Sequence, residues 1–263
     1  MKAAAAFLAV LLAVPAWADV ERPSALRDVG FDQRLGEQIP LDAVWRDEAD
    51  APVTLRQLAG KPLLLVPAYY TCPMLCTLVL NGVVSALRAL PFDAGREFTV
   101  VTFSFDPNDT PAAAAEKKQR MVAEYRRPGI EAGWRFLTGD RETIRGLTEA
   151  IGFRAAWQEE QKQWAHASGI VLVTPGGRVA RYFFGVEFAP RDLRLAIVEA
   201  SENRIGSFVD ALLLFCFHYD PATGRYSRVA REAVRIGGIV TIGALVAVIA
   251  WWLRRERVRG VPA

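Results

Sequence analysis

Apolar positions in this chain fall into two long continuous runs and a series of short periodic ones. The long runs are Ala3 to Val14 and Ile236 to Leu253, the second carrying 18 residues without a charge. Between them, Leu63-Leu64-Leu65-Val66 is a solid apolar block, the mark of a strand buried on both faces. Leu75, Leu78, Val79, Val83, Ala86, Leu87 and Leu90 then recur at helical spacing, so a helix follows that strand. The alternation returns with a buried-type strand over Phe98 to Phe105 and a turn at Asp106-Pro107-Asn108-Asp109. Thr110 caps the next helix and Pro111 takes its first position; it runs to about Arg127, before Pro128-Gly129. Trp134 to Leu137 reads as a short strand, and Asp140 caps a helix to about Ile151 that Gly152 ends. Pro175-Gly176-Gly177 joins the strands Ile170 to Thr174 and Val179 to Phe184 into a hairpin, and Pro190 to Ala200 is the last helix. Residues 29–61 form an irregular lead-in with short strands, in which Val53-Thr54-Leu55 is extended. This order predicts an α/β sandwich around a mixed central sheet.

The long runs predict a topology. Lys2, the run from Ala3 and the small-x-small pattern Ala16-Trp17-Ala18 make residues 1–18 a cleaved signal peptide. Residues 19–28 are a linker, 29–204 the folded domain and 205–233 a membrane-proximal segment. Eighteen charge-free residues span about 27 Å as a helix, close to a bilayer's hydrocarbon thickness. Residues 234–254 are therefore expected to form one C-terminal transmembrane helix, with Trp251 and Trp252 at its belt and a cytoplasmic tail over 255–263. The four Arg of residues 254–259 fit the positive-inside rule. The expected location is a bacterial inner membrane, single-pass, with the domain in the oxidising periplasm.

Charge narrows the function classes. The formal net charge is +3, but from Arg225 onward eight Arg face Glu232 and Glu256, a balance of +6, which leaves −3 for residues 1–224. A mildly acidic domain lacks the basic footprint of a nucleic-acid binder. The 52% hydrophobic content is inflated by the two long runs and does not indicate several membrane spans.

Three Cys and two His are the whole inventory of thiol and imidazole groups. Cys72 and Cys76 lie four apart where a helix begins, with Cα atoms about 6 Å apart on one turn, within disulfide range and on one face. A structural disulfide, a redox pair and a two-thiolate grip on one metal ion all remain open on that spacing. A helix N-terminus is expected to lower the thiol pKa values. His166 sits in Trp164-Ala165-His166-Ala167-Ser168-Gly169, in a loop entering a strand. Two thiolates and an imidazole together form a soft, low-coordinate set suited to copper, Cu(I) above all and also Cu(II), with zinc the competitor on donor type. Cys216-Phe217-His218 places a second soft pair on one face if extended; a buried thiol and a cross-link between two chains are the other readings.

Four segments taken in order, Tyr69-Tyr70-Thr71-Cys72-Pro73-Met74-Leu75-Cys76, Ser104-Phe105-Asp106-Pro107-Asn108-Asp109-Thr110-Pro111, Phe136-Leu137-Thr138-Gly139-Asp140 and His166-Ala167-Ser168-Gly169, resemble the Sco/SenC copper-chaperone family. The resemblance covers roughly residues 28–201. It implies a thioredoxin-like fold and copper held by Cys72, Cys76 and His166, with Asp106 supporting the ligands from behind. It also implies a role in delivering copper to, or reducing the thiols of, the CuA centre of cytochrome c oxidase. The partner would be the oxidase subunit carrying CuA or another periplasmic cuproprotein. The chain departs from the family pattern at Thr71, Met74 and Thr77, where a His, an acidic residue and a Pro are usual, and in carrying its anchor at the C-terminus. These mark a divergent branch. Met74, a single Met beside an apolar run, reads as packing before it reads as an extra ligand. The competing functions are a thiol-disulfide oxidoreductase or peroxiredoxin-like reductase, for which Cys72 and Cys76 suffice, and a membrane adaptor with a structural disulfide.

Overall fold

The computed structural model describes residues 28–72, 75–127, 129–205, 219–220, 225–226 and 228–258, the last three stretches with side chains over 236–252 alone. In chain order the elements begin with β1 (Gly30–Phe31), β2 (Val44–Arg46), β3 (Pro52–Thr54), α1 (Leu55–Leu58) and β4 (Leu63–Ala68). Then come α2 (Leu75–Ala89), β5 (Thr99–Ser104), α3 (Pro111–Tyr125), α4 (Ile130–Gly133), β6 (Trp134–Leu137) and α5 (Arg141–Ala150). They are followed by β7 (Phe153–Gln158), β8 (Gln163–His166), β9 (Gly169–Val173), β10 (Val179–Phe184) and α6 (Pro190–Ser201). Beyond the domain lie β11 (Tyr219–Asp220), β12 (Arg225–Tyr226) and α7 (Arg228–Val258).

The uninterrupted apolar strands β4 and β9 pair at the heart of a five-stranded sheet. Its order is β10-β9-β4-β5-β6, parallel from β4 to β6 and antiparallel from β4 to β10. This is the mixed sheet expected, with β4 in its centre. Every residue of β4 is buried, and its side chains alternate between two cores. Leu64 and Val66 join the layer with Val83, Leu87, Phe98, Tyr125 and Leu193 from α2, α3, α6 and their approaches. Leu63 and Leu65 face Trp45, Phe103, Leu147 and Cys76 in the other. Each such aliphatic side chain contributes about 1.5–3 kcal/mol on leaving water, so a strand buried on both faces is fixed in register.

The helices begin and end largely where their caps demand. Thr110 accepts from Ala113 N–H with Pro111 behind it, and Asp140 accepts from Thr143 N–H. Two local expectations are corrected. Val53-Thr54-Leu55 does not continue as a strand: Thr54 and Gln57 form a capping box, and the chain turns into α1 at Leu55. His166 itself does not lie in a loop: it ends a strand, and only 167–168 separate it from Gly169. Residues 153–166 make an antiparallel hairpin, β7 with β8, ending on His166 opposite Ala155.

Residues 1–27, Pro73, Met74 and the segment 206–218 with Cys216 and His218 lie outside the described residues. Helix α7 is 31 residues long. Among the described residues no helix is long and apolar enough to cross a membrane. Side chains of α7 are described over 236–252, ending one residue short of the charge-free run, and its large apolar groups are exposed throughout.

Candidate metal centre

The carboxyl end of β4 delivers the chain into a short connection that carries Tyr69, Tyr70, Thr71 and Cys72 before α2 begins at Leu75. Hydrogen bonds from the neighbouring strand's exit hold this connection. Phe105 N–H donates to Ala68 O at 2.9 Å, and Tyr70 N–H donates to Asp109 Oδ2 at 2.6 Å. The same Asp109 oxygen accepts from Ser104 Oγ–H at 2.6 Å, and the Tyr70 hydroxyl donates to Leu137 O at 2.7 Å. Burial raises the Asp109 pKa above the ordinary carboxylate range, against the opposing pull of those two donors. Cys76, the second residue of α2, donates its N–H to Cys72 Sγ at 3.3 Å. Both cysteines are thiols.

His166 comes from a separate sheet, β1-β7-β8. Its strand β8 is held by β7, and β7 by β1 through Phe31 opposite Phe153. Three residues later Gly169 starts β9 in a place that admits no side chain: a Cβ there would meet Phe183 O at 2.7 Å. The ring arrives with Nε2 3.2 Å from Cys76 Sγ and Nδ1 2.9 Å from Ala167 O. A carbonyl only accepts, so Nδ1 carries the proton and Nε2 presents its lone pair to the sulfur, the tautomer a metal ligand needs. The donor atoms of Cys72, Cys76 and His166 all lie within 4.8 Å of one another. Among the described residues they are the one group of three or more Cys, His, Asp or Glu so converging.

The surroundings are aromatic and buried. Phe105, Tyr69 and Phe153 stand 5.2, 6.0 and 6.4 Å from the His166 ring, and Trp164 closes on Phe105 at 6.1 Å. Burial pushes the Cys76 thiol well above its ordinary pKa, and the adjacent Cys72 sulfur adds to the shift. Tyr69 N–H and the Lys117 ammonium oppose it without reversing it. This departs from the expectation of acidified thiols: at Cys76 burial raises the pKa. Asp106 is buried beside the site, but its carboxylate accepts from Asn108 N–H and Nδ2–H, both at 2.9 Å, and shapes the turn before α3. Asp109 and Tyr69 also form the site, although neither carries a metal-ligand signature in sequence. Asp109 was legible only as a turn residue, since its reach to Tyr70 spans 39 positions.

A family model described as SCO1/SenC matches residues 43–200, more than half of the chain. A Stutzerimonas stutzeri protein assigned as copper-binding is 27% identical over 135 residues, 50% of this chain and 62% of that one. The chain thus spans less than two thirds of that relative's length. A crystal structure from Aquifex aeolicus VF5, of a protein assigned to electron transfer, superposes with a TM-score of 0.57 at 28% identity, covering 67% of this chain and 98% of that chain. BsSco superposes with a TM-score of 0.51 at 23% identity over 65% of this chain and 97% of its own. BsSco is described as a member of the Sco family of cytochrome c oxidase assembly proteins with a disulfide switch. The fold is the thioredoxin-like one of these proteins.

Proposed function

Because the chain belongs to the SCO1/SenC family, we propose that it is a membrane-anchored periplasmic protein that takes up copper on Cys72, Cys76 and His166. It then delivers the metal to, or reduces the thiols of, the CuA site during cytochrome c oxidase assembly. The observation that carries this reading is the meeting of Cys76 Sγ and His166 Nε2 at 3.2 Å across 90 residues of sequence, with Cys72 beside them. Two sulfurs and one imidazole in an aromatic pocket suit a soft, low-coordinate ion. Copper is cargo here. The bare Nε2 is ready to bind without rearrangement, whereas the Cys76 thiol must release its proton to copper, so loading couples to pH. Release would follow by ligand exchange with a partner offering equal or better donors.

The anchor belongs to the same proposal and rests on the charge-free run and on the exposed apolar side chains of α7. The oxidoreductase alternative needs an accessible, acidified attacking thiol. Cys76 is 1% exposed with its pKa pushed up, and Cys72 is 8% exposed, which favours the copper reading.

Metal analysis of the full-length protein in detergent, reduced and titrated with Cu(I), tests the proposal. Copper should remain bound to the wild-type chain through a chelator challenge, and His166→Ala and Cys72→Ser should each lose it. Retention in both variants would overturn the ligand set. Titration of a Cys216→Ser/His218→Ala chain reads the second soft pair: less copper per chain supports it, and unchanged stoichiometry removes it.

A further inference from the structure

Between β4 and α2 the chain turns once before it reaches the first donor. Tyr69-Tyr70-Thr71-Cys72 closes as a β-turn, with Cys72 N–H donating to Tyr69 O at 3.2 Å. The Tyr69 carbonyl and the Tyr70 N–H belong to one planar peptide and point in opposite directions, so fixing one fixes the other. The N–H is fixed from outside the turn, donating to Asp109 Oδ2 at 2.6 Å. Asp109 is itself held just before α3: the same oxygen accepts from Ser104 Oγ–H at 2.6 Å, and Asp109 N–H donates to Asp106 O at 3.2 Å. Side-chain packing leaves the orientation of this peptide undecided. Tyr69 is buried in one core with Cys72 and Cys76, and Tyr70 in the other, while the plane between two anchored residues rotates by opposite changes in ψ and φ. Turned over, it would take its oxygen away from Cys72 N–H. Both sulfurs depend on this turn: Cys72 Sγ accepts Cys76 N–H at 3.3 Å, and Cys76 Sγ accepts Tyr69 N–H at 3.4 Å.

We propose that Asp109 is a positioning residue for the metal centre, whose side-chain oxygen holds the Tyr69–Tyr70 peptide in the orientation that presents Cys72 Sγ to copper. The inference rests on the copper reading above for its metal consequence, while the hold on the turn stands without copper. Asp109 acts through the backbone of the ligand loop, and partners behind metal ligands typically carry about 10–100-fold in metal affinity.

The test uses reduced full-length protein in detergent with Cys216→Ser/His218→Ala in every sample, comparing Asp109→Ala, Asp109→Asn and Ser104→Ala with the parent. In competition with a Cu(I) chelator, Asp109→Ala should weaken copper binding by about 10–100-fold. Asp109→Asn keeps an oxygen for Tyr70 N–H and should restore most of that loss. Ser104→Ala removes the other donor to the same oxygen and should leave copper affinity at the parent value. In metal-free protein, amide hydrogen exchange should quicken over residues 69–72 in Asp109→Ala and stay slow in Asp109→Asn. Should Asp109→Ala not fold, Asp109→Glu, which displaces the oxygen by one methylene, is read in its place. Unchanged copper affinity in a folded Asp109→Ala protein, or unchanged exchange over 69–72, would overturn the inference, as would an equal loss of copper in Ser104→Ala. If the parent binds no copper, the proposed function falls and amide exchange alone decides on Asp109.

Discussion

The molecule contains two antiparallel hairpins side by side in sequence, built on opposite principles. In β9–β10 every residue of β9 is buried, the turn is marked by Pro175-Gly176-Gly177, and the pair extends the central sheet. In β7–β8 most positions are half-buried and the pair lies outside that sheet. Its turn contains no glycine, and Lys162 takes the left-handed conformation at φ 50°. What holds it is side-chain pairing. Trp157 faces Trp164 across the ladder at 5.6 Å, and Phe153 packs on Phe31 and Phe105, both at 5.1 Å. The first hairpin is scaffold. The second carries His166 to the cysteines, and a hairpin outside the main sheet can hold a ligand without interrupting the core.

Substitutions on the two hairpins should separate scaffold from site. The largest effect is expected at Leu172, fully buried in β9. Leu172→Ala should lower stability in chemical denaturation by about 2–5 kcal/mol, with copper still bound by whatever fraction is folded. Loss of copper from folded Leu172→Ala protein would erase the distinction. The two turns should differ next. At Gly177, φ is 83° and a Cβ would meet Gln38 Nε2 at 2.5 Å and Leu41 Cδ1 at 2.8 Å, so Gly177→Ala should cost about 1–3 kcal/mol. Lys162→Ala removes only an exposed ion pair with Glu159 from a position that already holds a Cβ, and should cost less than about 1 kcal/mol by the same measurement. Equal costs would contradict the contrast between the turns.

The remaining prediction concerns pH. In the metal-free protein the Cys76 thiol stays protonated above its ordinary pKa of 9.0, whereas in the unfolded chain it ionises there. The unfolded state then binds fewer protons, so stability should fall as pH rises past 9, by at most about 1.4 kcal/mol per pH unit from this group. Cys76→Ser should flatten that part of the profile, measured by denaturant titration between pH 8 and 10. An unchanged slope would show that Cys76 is not the buried thiol responsible.

What could be read from the sequence follows the same division. Leu63–Ala68 and Gly169–Val173 were visible as strands because burial on both faces leaves no polar position, and Thr99–Ser104 because its buried Thr and Ser stand among β-branched and aromatic residues. Thr110 and Asp140 announced their helices because capping is local chemistry. The β7–β8 hairpin was missed because its pattern is half-buried and its turn lacks glycine. One signal was present: Ala155-Ala156-Trp157-Gln158 and Gln163-Trp164-Ala165-His166 mirror each other around a polar tetrapeptide, pairing Trp with Trp and Gln with Gln.

The identity of the soft side chains, their place beside a central strand and the mixed order of the sheet were determined by residue type and periodicity, since those are properties of short segments. Tertiary structure decided that His166 Nε2 lies 3.2 Å from Cys76 Sγ, that Tyr69 N–H donates to the same sulfur, and that burial raises the Cys76 thiol's pKa. Each of these depends on distance and desolvation between separate elements of the chain, which exist only once the strands have packed.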